Sequence, residues 1–166
     1  MPLIKPIHSM IGEYRTTMKP RIYIDTSVVG GCFDQEFKEW SEKLFQAFRD
    51  GSRIAVISDI TLDELSFSRP EVLNHLSSVS DDSNEYVAND EESKELAEHY
   101  IREGAVTRNF HEDALHIAIA TIHKVDVLVS WNFKHIVNLD RIRKYNAVNL
   151  MNGYPMIEIR NPREIV

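Results

Sequence analysis

Apolar residues in this chain fall into short, nearly continuous runs that alternate with stretches of helical period. Arg21 to Val28 (RIYIDTSV) is an apolar, β-branched run that meets Gly30-Gly31, which predicts a first strand ending in a turn. Trp40, Leu44, Phe45 and Phe48 recur at helical spacing, so a helix is predicted over Glu39 to Asp50, closed by Gly51. Arg53 to Ser58 (RIAVIS) is a second strand, followed by a helix from about Asp59 to Ser68 that Ser58 or Asp59 caps and Pro70 stops. Glu71 to Ser78 reads as another helix, SDDSN as a polar loop, and Glu85 to Ala88 as a short strand.

The second half repeats the alternation. Asp90 to Glu103 carries Leu96, Ala97, Tyr100 and Ile101 on one face and charges on the other, the pattern of an amphipathic surface helix. Glu112 to His123 is almost wholly apolar and is predicted to be a buried central helix. Val125 to Ser130 is a third clear strand, Leu139 to Tyr145 a basic helix, and Met156 to Arg160 a closing strand. Short apolar strands between helices predict a three-layer α/β/α domain with a central, mainly parallel sheet. Periodicity leaves the strand order open.

Composition narrows the class. A chain of 166 residues, 43% hydrophobic and 27% charged, suits one soluble globular domain. Residues 1–17 contain scattered charges that break any signal-like apolar run, and they read as an N-terminal appendage and a candidate for disorder, with the domain over 18–166. No stretch has the length of a membrane span, so the expected compartment is the cytoplasm. Cys32 is the single cysteine; it excludes an internal disulfide and is read as a small semi-buried residue without chemistry. The net charge of −7 removes any general attraction to polyanions, so a nucleic-acid contact must be local.

Sites in open α/β sheets form beyond the carboxyl ends of the strands, which directs attention to polar residues following apolar runs. Asp25 ends the first strand, Glu64 lies on the helix after the second, Asp113 opens the buried helix, and Asn132 follows VLVS. Each has an ordinary structural alternative. Asp25 suits a turn or cap, Asp113 suits a first helical turn, and Glu64 competes with the adjacent Asp63, which periodicity does not separate from it. His116 lies one turn beyond Asp113 and is more often a hydrogen-bonded structural residue than a ligand. Grouped carboxylates repel unless a cation or proton intervenes, and all-oxygen donors suit Mg²⁺ or Mn²⁺ rather than Zn²⁺. Phosphodiester hydrolysis is the natural chemistry of such an ion.

IYIDTSVV, TLDEL after a strand, the HEDALHIAIA helix and VDVLVSWNFKHI, taken in order, resemble the PIN-domain family and its VapC-like toxin ribonucleases, over Arg21 to about Asn138. The resemblance implies a divalent-metal endoribonuclease with Asp25, Glu64 and Asp113 as the metal-binding acids, which favours Glu64 over Asp63. The fourth acidic position of the family is here Asn132, expected to orient the water or substrate; it carries no charge and makes one held metal more natural than two. The resemblance further implies RNA as substrate, a separately encoded antitoxin and a homodimer. Thr26, Ser27, Lys134 and His135 are the candidate substrate contacts; Phe133 or Trp131 could stack on a base, but both are more often core residues. Two other classes compete: a PIN fold that binds RNA or protein without cleaving it, which Asn132 and the acidic balance favour, and a phosphoaspartate-type phosphatase. The second ranks lower because Thr26 and Ser27 follow Asp25 where a DxD-like pair is expected.

Overall fold

A computed structural model describes residues 18–166; the expectation for residues 1–17 lies outside the described residues. Five strands, β1 (Arg21–Ile24), β2 (Ile54–Ser58), β3 (Asn84–Val87), β4 (Val127–Val129) and β5 (Ile159–Arg160), form one sheet in the order β3-β2-β1-β4-β5. Every pairing is parallel. Seven α-helices are described: α1 (Thr26–Gly31), α2 (Lys38–Arg49), α3 (Asp59–Ser66), α4 (Pro70–His75), α5 (Glu91–Arg102), α6 (His111–Ile122) and α7 (Leu139–Met151). None is long and apolar enough to cross a membrane.

The central strands β1, β2 and β4 are apolar over most of their length because both sheet faces are covered there, whereas the edge strand β3 (NEYV) is polar and partly exposed. Alternate side chains of β1 enter two separate cores: Tyr23 joins Val56 and Leu128 among the residues of α5, α6 and α7, whereas Ile22 and Ile24 join Ala55, Ile57 and Val129 beneath α1 to α4. Burial on both sides removes any choice of face, so the central strand's position is set by pairing alone.

The first strand is shorter than its apolar run predicts. At Asp25 the backbone is still extended, but the carboxylate accepts from the Val28 amide and starts α1, so Thr26 to Gly31 is helical instead of continuing the strand. Ser58 similarly caps α3 through the Thr61 amide. Pro70 opens α4 at its first turn, where its missing N–H is no loss, and thus starts a helix as well as following one. The last helix is longer than predicted, reaching Met151. Its hidden half carries Asn146 and Asn149, buried polar residues that interrupt the apolar pattern. Asn146 exchanges two hydrogen bonds with the Ile157 backbone (2.8 and 3.2 Å), and Asn149 accepts from the Tyr100 hydroxyl. With its backbone engaged by Asn146, Ile157 is outside the ladder, and the predicted closing strand is reduced to Ile159–Arg160.

α1 packs closely against its surroundings at Gly31. A Cβ there would stand 2.4 Å from Ser41 Oγ and 2.8 Å from Trp131 Nε1, two buried atoms that hydrogen-bond to each other at 2.8 Å. At Gly30 no atom lies within 4 Å of such a Cβ. Gly31→Ala is therefore expected to cost about 1–3 kcal/mol by overpacking. Gly30→Ala should be neutral or stabilise by about 0.4–1 kcal/mol. Urea unfolding of the two variants beside the parent chain tests the contrast, and equal midpoints would contradict it.

Candidate functional site

The strand order places β1 between β2 and β4, so connections leave it in opposite directions and a crevice opens beyond its carboxyl end. The register Ile24↔Val129 brings Asp25 and Ser130, the next residue of each strand, side by side across this crevice. Ser130 Oγ donates to Asp25 Oδ2 at 2.6 Å, and Ser27 Oγ donates to Asp25 Oδ1 at 2.6 Å. Ser27 Oγ also accepts from the Trp131 amide at 2.9 Å, tying the first turn of α1 to the end of β4. Burial pushes the Asp25 carboxyl above the ordinary range; His116, Ser130, Ser27 and the Val28 amide offset only part of that.

Glu64 and Asp63 separate by orientation. Asp63 is exposed, while Glu64 faces the crevice, its Oε2 accepting from Thr26 Oγ1 at 2.6 Å and its Oε1 bonded to His116 Nε2 at 2.8 Å. Burial works against the Glu64 charge, yet His116 and Thr26 outweigh it and its pKa falls below the usual value. His116 is buried on α6, its Nδ1 lying 2.6 Å from the Tyr23 hydroxyl, which in turn meets Ser58 Oγ at 2.8 Å. Burial alone would discharge the ring, but Tyr23, Glu64 and Asp25 raise its pKa well above the ordinary value. As imidazolium it donates at both nitrogens, to Tyr23 and to Glu64, and Tyr23 donates onward to Ser58. Sequence reading gave His116 a structural role; the structure puts it among the three acids as their neutralising cation.

Asp113, in the first turn of α6, is half-buried. Burial together with the Asp25 and Glu64 charges pushes its carboxyl up to about 6, in spite of His116 and a hydrogen bond from Asn132. That bond runs from Asn132 Nδ2 to Asp113 Oδ1 at 3.1 Å. The Asn132 oxygen is committed elsewhere, accepting from the amides of Lys134 (3.2 Å) and His135 (3.0 Å), and these amides also fix the orientation of the side chain. Asn132 therefore braces Asp113 and caps the turn after β4; it does not hold out a free oxygen. An acid at this position has no proton with which to make that contact to an ionised Asp113.

The predicted substrate contacts divide. Thr26 and Ser27 orient Glu64 and Asp25. Lys134 is exposed. His135 is buried and stacked on Phe110 with centroids 3.6 Å apart, so its ring lines the interior rather than the surface. Trp131 is buried as expected, whereas Phe133 is 46% exposed.

Hard oxygen donors backed by hydroxyls and one buried cation fit a divalent ion by chemistry. Among the described residues, the oxygens of Asp25, Glu64 and Asp113 do not all come within 4.8 Å of one another. An ion there would be held directly by some of them and through water by the rest, as is usual for Mg²⁺.

No protein-family model matches this chain, and no curated protein does. Solved structures do. A VapBC2 chain from Rickettsia felis, crystallised with a DNA fragment from their promoter, is 14% identical with TM-score 0.53, covering 85% of this chain and 98% of that one. FitAcB from Neisseria gonorrhoeae is 13% identical with TM-score 0.54, covering 87% and 99%. VapC20 from Mycobacterium tuberculosis, a Sarcin-Ricin loop cleaving toxin, is 13% identical with TM-score 0.51, covering 69% and 92%.

The raised Asp113 carboxyl gives a signed pH dependence. A folded-state pKa above the unfolded value means that ionisation opposes folding, so this contribution to stability falls as pH rises from about 4 through about 6. Asp113→Asn removes it. In EDTA the variant should melt higher than the parent at pH 7.5, with the gap closing towards pH 4; a gap independent of pH would contradict the assignment. The parallel five-stranded sheet and the likeness to these solved structures together show that this chain has the PIN-domain fold.

Proposed function

We propose that this protein is a divalent-metal-dependent endoribonuclease, with residues 18–166 as the nuclease domain and Asp25, Glu64 and Asp113 as the metal-binding acids. The observation that carries the reading is the convergence of these three acids, from β1, α3 and α6, around the buried His116 at the carboxyl end of a parallel sheet. A phosphodiester is the substrate class that suits it, since a dianionic arrangement of three carboxylates and one imidazolium is completed by a divalent cation and not by a second anion.

Mg²⁺ or Mn²⁺ bound here supplies stabilisation of phosphate charge and a more acidic bound water. The chain's own residues prepare the place. Ser27 and Ser130 fix both oxygens of Asp25, Thr26 and His116 fix those of Glu64, and Asn132 turns one oxygen of Asp113 inward. Asp113 Oδ2 is left free of protein hydrogen bonds among the described residues and would be available to hold the ion. The exposed Lys134 would meet a phosphate and the exposed Phe133 would stack on an unpaired base, a pairing of contacts that suits single-stranded or looped RNA. The similar structures include VapBC2 from Rickettsia felis bound to a DNA fragment from their promoter, and FitAB bound to the IR36 DNA fragment. By that analogy a separately encoded antitoxin covers this site in the cytoplasm.

The test is cleavage of a structured RNA pool by the full chain with Mg²⁺, Mn²⁺ or EDTA. Cutting is expected only with metal and should disappear in Asp25→Asn. Ser130→Ala and Asn132→Ala, which remove supports of the acids, should retain the fold and lose about 10–100-fold. Metal-independent cutting, or full activity in Asp25→Asn, would refute the proposal; metal binding without turnover on any RNA would point to a binding module.

A further inference from the structure

A second group of metal-ligating side chains lies outside this crevice. Cys32, Glu42 and His75 each offer one atom, and the three atoms lie within 4.8 Å of one another. Cys32 ends α1, Glu42 lies mid-way along α2, and His75 ends α4, so residues distant in sequence converge where three helices meet. They line one side of a cleft of ≈ 390 Å³ that opens past Phe33, Asp34 and Arg69, which gives an ion a way in.

We propose that Cys32, Glu42 and His75 form a zinc site, with a water in the fourth position. Thiolate, imidazole and carboxylate are the donor types of three-ligand zinc sites, and tetrahedral donors at zinc bond lengths stand roughly 3.3–3.7 Å apart, inside the present spacing. His75 Nε2 lies 2.8 Å from Glu42 Oε1 and must part from it by under an ångström to admit the ion. Glu42 can ligate through Oε1 alone, because its Oε2 is held by Arg49 Nη1 at 3.2 Å. Arg49 Nη2 also approaches His75 Nε2 at 3.3 Å, a long contact that the ion replaces while Arg49 keeps its bonds to Glu42 and Ser78. Phe33 and Phe45 meet the His75 ring at centroid distances of 5.3 and 4.7 Å and hold it in place.

Binding forms a zinc–sulfur bond and breaks the S–H bond, the proton leaving to solvent. Without the ion, burial and the Glu42 charge push the Cys32 thiol up, towards its neutral form. A thiolate, a carboxylate and the Arg49 guanidinium around Zn²⁺ leave one net positive charge, which a bound water or hydroxide accommodates. The ion would join the end of α1 to α2 and α4. Since α1 begins at Asp25, occupancy braces the helix that carries Thr26 and Ser27 into the crevice.

Cobalt(II) reports on the site directly. The full-length, reduced chain titrated with Co²⁺ should develop a near-ultraviolet sulfur-to-cobalt charge-transfer band and the intense visible bands of four-coordinate cobalt, and stoichiometric Zn²⁺ should bleach both. Because Cys32 is the only cysteine, the charge-transfer band can have no other source. It should vanish in Cys32→Ser, weaken in Glu42→Gln and His75→Ala with circular dichroism unchanged, and persist in Asp25→Asn and Asp113→Asn. Absence of the band in the parent chain, or a band indifferent to both Glu42→Gln and His75→Ala, would overturn the proposal, whichever way the RNA cleavage experiment falls.

Discussion

A carboxylate buried at the end of the central strand governs the architecture around it. Asp25 has almost no contact with water, and an acid in that position is tolerated only if its oxygens find donors. They do so through the Val28 amide, Ser27 and Ser130, and each donor carries a structural consequence. The Val28 bond turns the chain from strand to helix. The Ser27 hydroxyl, bonded in turn to the Trp131 amide, docks that helix against β4. The Ser130 bond closes the gap between the two strands that diverge from the crevice. A single desolvated side chain thus determines where β1 stops, where α1 starts and how β4 ends.

The same need for satisfaction spreads outward through a hydrogen-bonded relay. Ser130 Oγ also accepts from the Asn132 amide, and the Asn132 side chain braces Asp113. On the opposite side, Thr26 and His116 share Glu64, and His116 passes through Tyr23 to Ser58, the cap of α3. Three acids so close together disfavour the folded state in the absence of a counter-charge, and Asp113, the most open of them, bears the effect as a raised pKa. His116 supplies one compensating charge from within. The rest of the negative charge has no cationic partner in the cluster, so concentrating acids here opposes stability, a trade common where charge is gathered in one place.

Two departures from the expected pattern have a common cause in side chains that replace backbone partners. Asn146 occupies the backbone of Ile157 and so shortens the closing strand, while its own burial conceals the second half of α7. Asn132 does the corresponding work after β4, where its oxygen caps two amides and its nitrogen faces an acid. In both places an amide side chain succeeds because it donates and accepts at once, which a carboxylate does not do at neutral pH.

The layered α/β class, the strands' burial on both faces and the placement of Asp25, Glu64, Asp113 and Asn132 near strand ends were legible from local pattern, because continuous apolar runs and helical periods arise from burial that every residue of an element shares. Family resemblance selected Glu64 over Asp63, and in the fold Glu64 reaches Thr26 and His116 while Asp63 is exposed. What the linear chain withheld were relations between elements. Strand order follows from which edges pair, His116's charge from Tyr23, Asp25 and Glu64 on other elements, and the meeting of Cys32 with Glu42 and His75 from the packing of three helices. Periodicity records which way a residue faces, but a site is made by which residues face each other, and that depends on the crossing of helices over a sheet whose order no local pattern encodes.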